Sequence, residues 1–213
     1  MNNIYFFYLF VHFVSFVVKY LIYFEKEDGM KALTRIPIII VIILIIVNLS
    51  LASEFKAKQP ILITSAGQSA DGLMVKILAQ KAGLRFTFDK LAKKEALKDY
   101  TTLILVSGGS TKGLGAANID KDRELSRIQD LIKAARKAKM SIITMHVGGK
   151  ARRGKLSDTF NSLTAENGDC LIIVKQGDED KLFSKIAGKK KIPIFLIDKI
   201  VDASDVIKGI FTE

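Results

Sequence analysis

From about residue 60 to residue 211 the chain alternates short, solid apolar runs with longer stretches of helical spacing, and this alternation restricts its fold more than any other feature. Runs at 61–64, 85–88, 102–107, 142–146, 171–174 and 194–197 predict six strands. Strands that are apolar on both sides must be covered on both faces, and a parallel strand reaches its neighbour only through a crossover. Such crossovers are right-handed. The expected class is therefore α/β, a doubly wound three-layer sandwich with a five- or six-stranded parallel sheet, Rossmann-like in general form. Because helix follows strand from the outset and no second half-repeat is evident, the flavodoxin-like order 2-1-3-4-5 is the predicted topology.

The helical stretches carry their own signals. Leu73, Met74, Ile77, Leu78 and Ala82 share one face of a helix after the first strand, which ends at Gly83. Asp120 can cap a helix over 121–138 whose stripe is Leu125, Ile128, Ile132 and Ala135. Further helices are predicted over 158–166, 180–187 and 204–211, the last opened by Asp202 with Asp205 at the spacing of a capping box.

The chain before this domain has a different composition. Residues 1–29 hold ten of the eighteen Phe and Tyr residues of the chain in no amphipathic order. Lys26-Glu27-Asp28 can be encoded as a ribosome-binding sequence just ahead of Met30, so 1–29 reads as an upstream extension with Met30 the true start. The other reading is an additional transmembrane helix over 4–24. From Met30 a basic start (Lys31, Arg35) leads into an apolar run over 36–47, and Ser50 and Ala52 stand at the spacing a signal peptidase reads. Residues 30–52 are thus a signal peptide cleaved before Ser53, or an anchor over 36–52 that keeps its positive flank inside. The expectation is an exported protein, periplasmic or extracellular, with 53–59 as a spacer and 60–213 as the domain.

Charge belongs to that domain. Only four of the 33 Lys and Arg and three of the 22 Asp and Glu precede Ser53, which leaves about +10 of the formal +11 in the folded part. The single cysteine, Cys170, excludes an intrachain disulfide and opens a strand, where it reads as core. Positive residues are scattered over helices and the turn at Lys189-Lys190-Lys191 without interleaved aromatics, so nucleic acid is not an expected partner; the charge reads first as a generic lysine-rich surface, with association with a membrane or cell envelope as the alternative.

In open α/β sheets ligands bind beyond the carboxyl ends of the strands. Three loops there are rich in glycine or small hydroxyl residues. The first carries Ser65, Gly67, Gln68 and Ser69; the second Gly108, Gly109, Ser110 and Lys112; the third His146, Gly148, Gly149, Arg152 and Arg153. Glycine lets backbone amides turn toward a ligand, hydroxyls and the Gln68 amide add donors, and the cations favour an anion. The competing reading is that these residues simply make turns and surface.

Sharper motifs fail in detail. Gly149 to Lys155 has the spacing of a phosphate loop, but Leu156 stands where Ser or Thr must hold magnesium. The first loop loosely resembles the FMN phosphate loop of flavodoxins, yet the chain has no Trp and Tyr100 is the domain's one tyrosine. Neither FMN nor a nucleotide is an expected cofactor, and His146 with Cys170 gives no metal-ligand spacing. His146, the one histidine of the domain, is the candidate general base for a hydrolase or transferase.

Over 59–211 the sequence resembles the bacterial family named domain of unknown function 6305. The likeness rests on Ile63 to Ser69, on Gly108-Gly109-Ser110 with Lys112 to Ala117, and on Met145 to Gly149 with Arg152-Arg153-Gly154 and Ser157-Asp158. It implies a small exported bacterial protein and brings no known activity with it.

Overall fold

The computed structural model describes residues 55–211 together with Lys19. The expectations for 1–29 and 30–52 therefore fall outside the described residues. The chain divides into Met1–Glu54 and Phe55–Glu213, and the sheet lies within the second unit. Among the described residues no helix is long and apolar enough to cross a membrane.

Six strands form one sheet: β1 (Ile61–Ala66), β2 (Phe86–Phe88), β3 (Thr102–Ser107), β4 (Ser141–His146), β5 (Cys170–Val174) and β6 (Ile194–Ile197). All pair in parallel, in the order β2-β1-β3-β4-β5-β6. This is the flavodoxin-like order with a sixth strand added at the far edge. The helices are α1 (Asp71–Lys81), α2 (Thr111–Ala116), α3 (Lys121–Lys137), α4 (Lys155–Asn167), α5 (Leu182–Lys190) and α6 (Ala203–Ile210).

Successive strand residues point to opposite faces, and the core divides accordingly. Ile61, Ile63, Ile104, Val106, Ile143 and Ile172 pack with Val75 and Leu78 of α1 and Ile207 and Ile210 of α6. Leu62, Leu103, Leu105 and Ile142 pack with Ile128, Leu131, Ile132 and Ala135 of α3. Leu171 and Ile173 cover Ala165 of α4 and Phe183 and Ala187 of α5. Cys170 is wholly buried in the first cluster, and burial pushes its thiol up to about 12.

Three helical details differ from expectation. α1 buries Asp71, Gly72, Val75, Leu78 and Ala79, so Leu73, Met74 and Ile77 face outward. The buried stripe of α3 begins at Glu124 rather than Leu125. Asp202 precedes α6 without capping it through its side chain; its carboxylate accepts instead from the Lys199 N–H at 2.9 Å.

This topology creates a crevice. The chain leaves β1 toward α1 on one face of the sheet and leaves β3 toward α3 on the other, so the crossover direction switches at the carboxyl rim between these adjacent strands.

Candidate functional site

The first loop, after β1, makes a tight reversal. Gly67 and Gln68 both have positive φ, +101° and +58°, and Gln68 forms a bridge with Gly109 of the second loop. A methyl group on Gly67 would lie 2.6 Å from the Gly108 carbonyl oxygen and 2.7 Å from Phe160, so only glycine fits there. The other glycines also serve loop-on-loop packing. Gly108 lies against Ser69 and Asp71, Gly109 against Leu156 and Ser157 at the start of α4, Gly148 against Arg152 and Asp71, and Gly149 against Gln176.

In the second loop Ser110 caps α2, its Oγ accepting from Gly113 N–H at 3.0 Å. The sequence pattern predicts loop in place of this short helix, because Gly113 and Gly115 fall inside it.

The cleft formed at the crevice has a volume of about 530 Å3. Ser65, Gln68 and Ser69 from the first loop, Ser110 and Lys112 from the second and Arg152 from the third all line it. Leu73, Phe88, Ala70 and Ala116 supply an apolar wall, and Lys90 adds a cation that sequence reasoning does not single out. Neither the Lys90 nor the Lys112 ammonium has a partner among the described residues.

Two acidic residues organise this cleft, and the loop motifs point to neither. Asp71, the first residue of α1, accepts from Ser69 Oγ at 3.0 Å and pairs with Arg152 Nε at 3.4 Å. Together with its contacts to Gly108 and Gly148, this ties all three loops to one carboxylate. A carboxylate at a helix N-terminus is also favoured by the helix dipole, which is the signal that could have found it.

Glu124 is fully buried beneath the first loop. Its Oε1 accepts from the Gly67 N–H at 2.9 Å and the Gln68 amide at 3.0 Å, while Arg127 binds both carboxylate oxygens at 2.8 Å. The Gln68 amide also donates to the Lys90 carbonyl at 2.9 Å. Both amide hydrogens of Gln68 are therefore committed inside the protein, and only its carbonyl oxygen remains for a ligand. Ser65 and Ser110 keep hydroxyl hydrogens free to donate into the cleft.

Seven predicted residues do not line the cleft: Gly67, Gly108, Gly109, Gly148 and Gly149, which serve the packing of the loops, and the side chains of Arg153 and His146. Arg153 turns away from it and binds Asp158 at 2.6 Å and Asp180 at 2.8 Å, with its guanidinium 5.7 Å from the Phe183 ring centroid. Those bonds hold its pKa above the ordinary value. His146 is wholly buried with its ring 5.0 Å from Phe183. Nδ1 faces the Ser107 carbonyl at 3.3 Å and Nε2 the Gly149 carbonyl at 3.2 Å. Burial lowers its pKa in spite of those carbonyls, which favours the neutral ring. A hydrolytic role would need this ring to reach the cleft, which it does not line. Among the described residues no cluster of three or more His, Cys, Asp or Glu could hold a metal ion.

The model of the family described as a domain of unknown function, DUF6305, matches residues 58–211. The chain belongs to the DUF6305 family. All three loops of the cleft, and the acidic residues beneath them, lie within the DUF6305 match. A comparison with curated proteins finds no match. Among solved structures the chain is similar to a GDSL-like lipase from Bacteroides thetaiotaomicron, at 13% identity, over 69% of this chain and 72% of that one, with a TM-score of 0.33. It is also similar to a "putative acylhydrolase" from Bacteroides fragilis, at 9% identity, over 63% and 64% of the two chains, with a TM-score of 0.30. Likenesses of this depth carry nothing about the DUF6305 cleft.

Proposed function

We propose that this DUF6305 domain binds a small anionic or polar ligand at the carboxyl rim of its sheet. One observation carries the reading: residues from three loops far apart in sequence, Ser65, Ser110, Lys112 and Arg152 among them, line a single cleft. An oxyanion there would accept from the Lys90 and Lys112 ammonium groups, from the two serine hydroxyls and from the outer nitrogens of Arg152. Asp71 offsets the Arg152 charge, so the two unpaired lysines set the net sign of the cleft. The basic start and apolar run over 31–52 support export to the periplasm or cell exterior, with envelope attachment if that run stays as an anchor.

The reading is tested by thermal-shift screening of the chain against inorganic phosphate, sulfate, pyrophosphate, dicarboxylates and nucleotides. A ligand at a hundred times its Kd stabilises the native state by about 2.7 kcal/mol. The expected result is a rise in Tm of several degrees with at least one anion. No shift with any of them would favour an interaction module without a small ligand.

A further inference from the structure

The cleft lining mixes two chemistries: Lys90, Lys112, Arg152, Ser65 and Ser110 bring charge and hydroxyls, and Leu73, Phe88, Ala70 and Ala116 bring apolar surface. Leu73 is 55% exposed, and the same helix face continues outward with Met74 at 43% and Ile77 at 56%. Leu73 and Ile77 are one turn apart, so their side chains adjoin and extend the apolar wall along α1 beyond the cleft mouth. Exposed leucine, methionine and isoleucine on three of five consecutive positions differ from singly scattered apolar residues, which need no explanation. The core does not use them: α1 packs on the sheet through Val75, Leu78 and Ala79.

A simple inorganic anion would use the lysines and leave this wall bare. Resting on the anion reading above, we propose that the ligand is a monomeric amphiphile: an anionic head held by Lys90, Lys112 and Arg152, and an apolar chain laid over Leu73 and Ile77. Charge selects the head, because the two lysine ammonium groups lack partners among the described residues. The concave shape of the head site favours a single molecule over a bilayer surface, since the cations and the hydroxyls of Ser65 and Ser110 line a cleft and not a flat face. Burying each methylene along the wall then adds affinity that an inorganic anion cannot obtain.

The test is a homologous series. The full chain, held in phosphatidylcholine nanodiscs with empty nanodiscs as the blank, is titrated calorimetrically with inorganic phosphate and with methyl through hexyl phosphate. The expected result is binding of all members with affinity rising about two- to fourfold per methylene. In the variant Met74→Ser with Ile77→Ser, neither of which lines the cleft, the rise should flatten for the longer chains while inorganic phosphate binds as before; both positions are exposed, so the fold is retained, as an unchanged melting curve would verify. A series that stays flat overturns the amphiphile and leaves the anion site standing. A rise that does not flatten in the double variant also overturns it. Binding to vesicles containing phosphatidylglycerol without binding of soluble hexyl phosphate overturns the monomeric ligand. If no phosphate of any length binds, the amphiphile is overturned, and if no anion of the thermal-shift screen binds either, the anion reading fails with it.

Discussion

Glu124 and Arg127, one turn apart on α3, form a buried ion pair with Nε and Oε2 2.8 Å apart, and this pair is the floor on which the first loop rests. Beyond their mutual bonds, Glu124 holds Gly67 and Gln68, while Arg127 donates to the Ser65 carbonyl at 2.6 Å and the Ala92 carbonyl at 2.7 Å. A buried pair is weak evidence of stability in itself, but breaking one partner out of it is severe.

Glu124→Gln is therefore expected to destabilise the domain by about 3–5 kcal/mol, because it leaves the Arg127 guanidinium buried without its counter-charge. Urea denaturation measures this. Replacing both residues, Glu124→Gln with Arg127→Met, should recover part of the loss, since no unpaired charge is then buried.

Gly67→Ala should cost about 2 kcal/mol or more. Alanine is strained at φ +101°, and its methyl would press on the Gly108 carbonyl. The urea midpoint should fall with the slope unchanged. Because the two loops would separate, the capacity to bind an anion should weaken as well.

The strands are the most legible part of the sequence. β3 and β6 have the expected bounds, and the other four differ by at most two residues at one end, because a solid apolar run closed by a polar turn leaves little choice. Helix faces are harder to read. Leu73, Met74 and Ile77 suggest a core stripe on α1, whereas the small residues Gly72 and Ala79 let that helix sit close to the sheet. Apolar character alone cannot distinguish a face that meets the core from one that is left exposed. Glu124 and Arg127 resemble solvated surface in sequence, since their partners are the backbone groups of a loop some 60 residues away. Arg153 resembles a third cleft cation for a related reason: its acceptor Asp180 lies 27 residues on, beyond any local pattern.

Arg153 also predicts behaviour in acid. Its hydrogen bond, acting with lesser contributions, lowers the Asp180 carboxyl to about 2. At Asp158 burial pushes upward, yet the bonds from Arg153, Asn161 and Gly154 hold the carboxyl below its ordinary value. Carboxyls depressed in the folded state contribute stability above their unfolded pKa, about 3.9, and lose it as pH falls through the folded value. Stability should thus decline between about pH 4 and pH 2, and Arg153→Met should flatten that part of the curve in a pH series of denaturant melts.

The buried His146 acts in a different window. Its pKa is lowered mainly by burial, so below about 6.5 the unfolded chain takes up a proton that the folded domain resists. The folded state is then favoured above that pH and progressively weakened below it. His146→Gln should remove this dependence below about pH 6.5, as measured by thermal melts, while leaving anion affinity at neutral pH unchanged.

The central claim is that one anion touches all three loops at once, and amide NMR of the isotopically labelled chain titrated with inorganic phosphate tests it most directly. The account predicts saturable shifts that move together at Ser69, Ser110, Lys112 and Arg152, with all of them lost in Lys112→Ala. Shifts confined to one loop, or spread over the exposed lysines at 189–191 with the cleft unmoved, would contradict it.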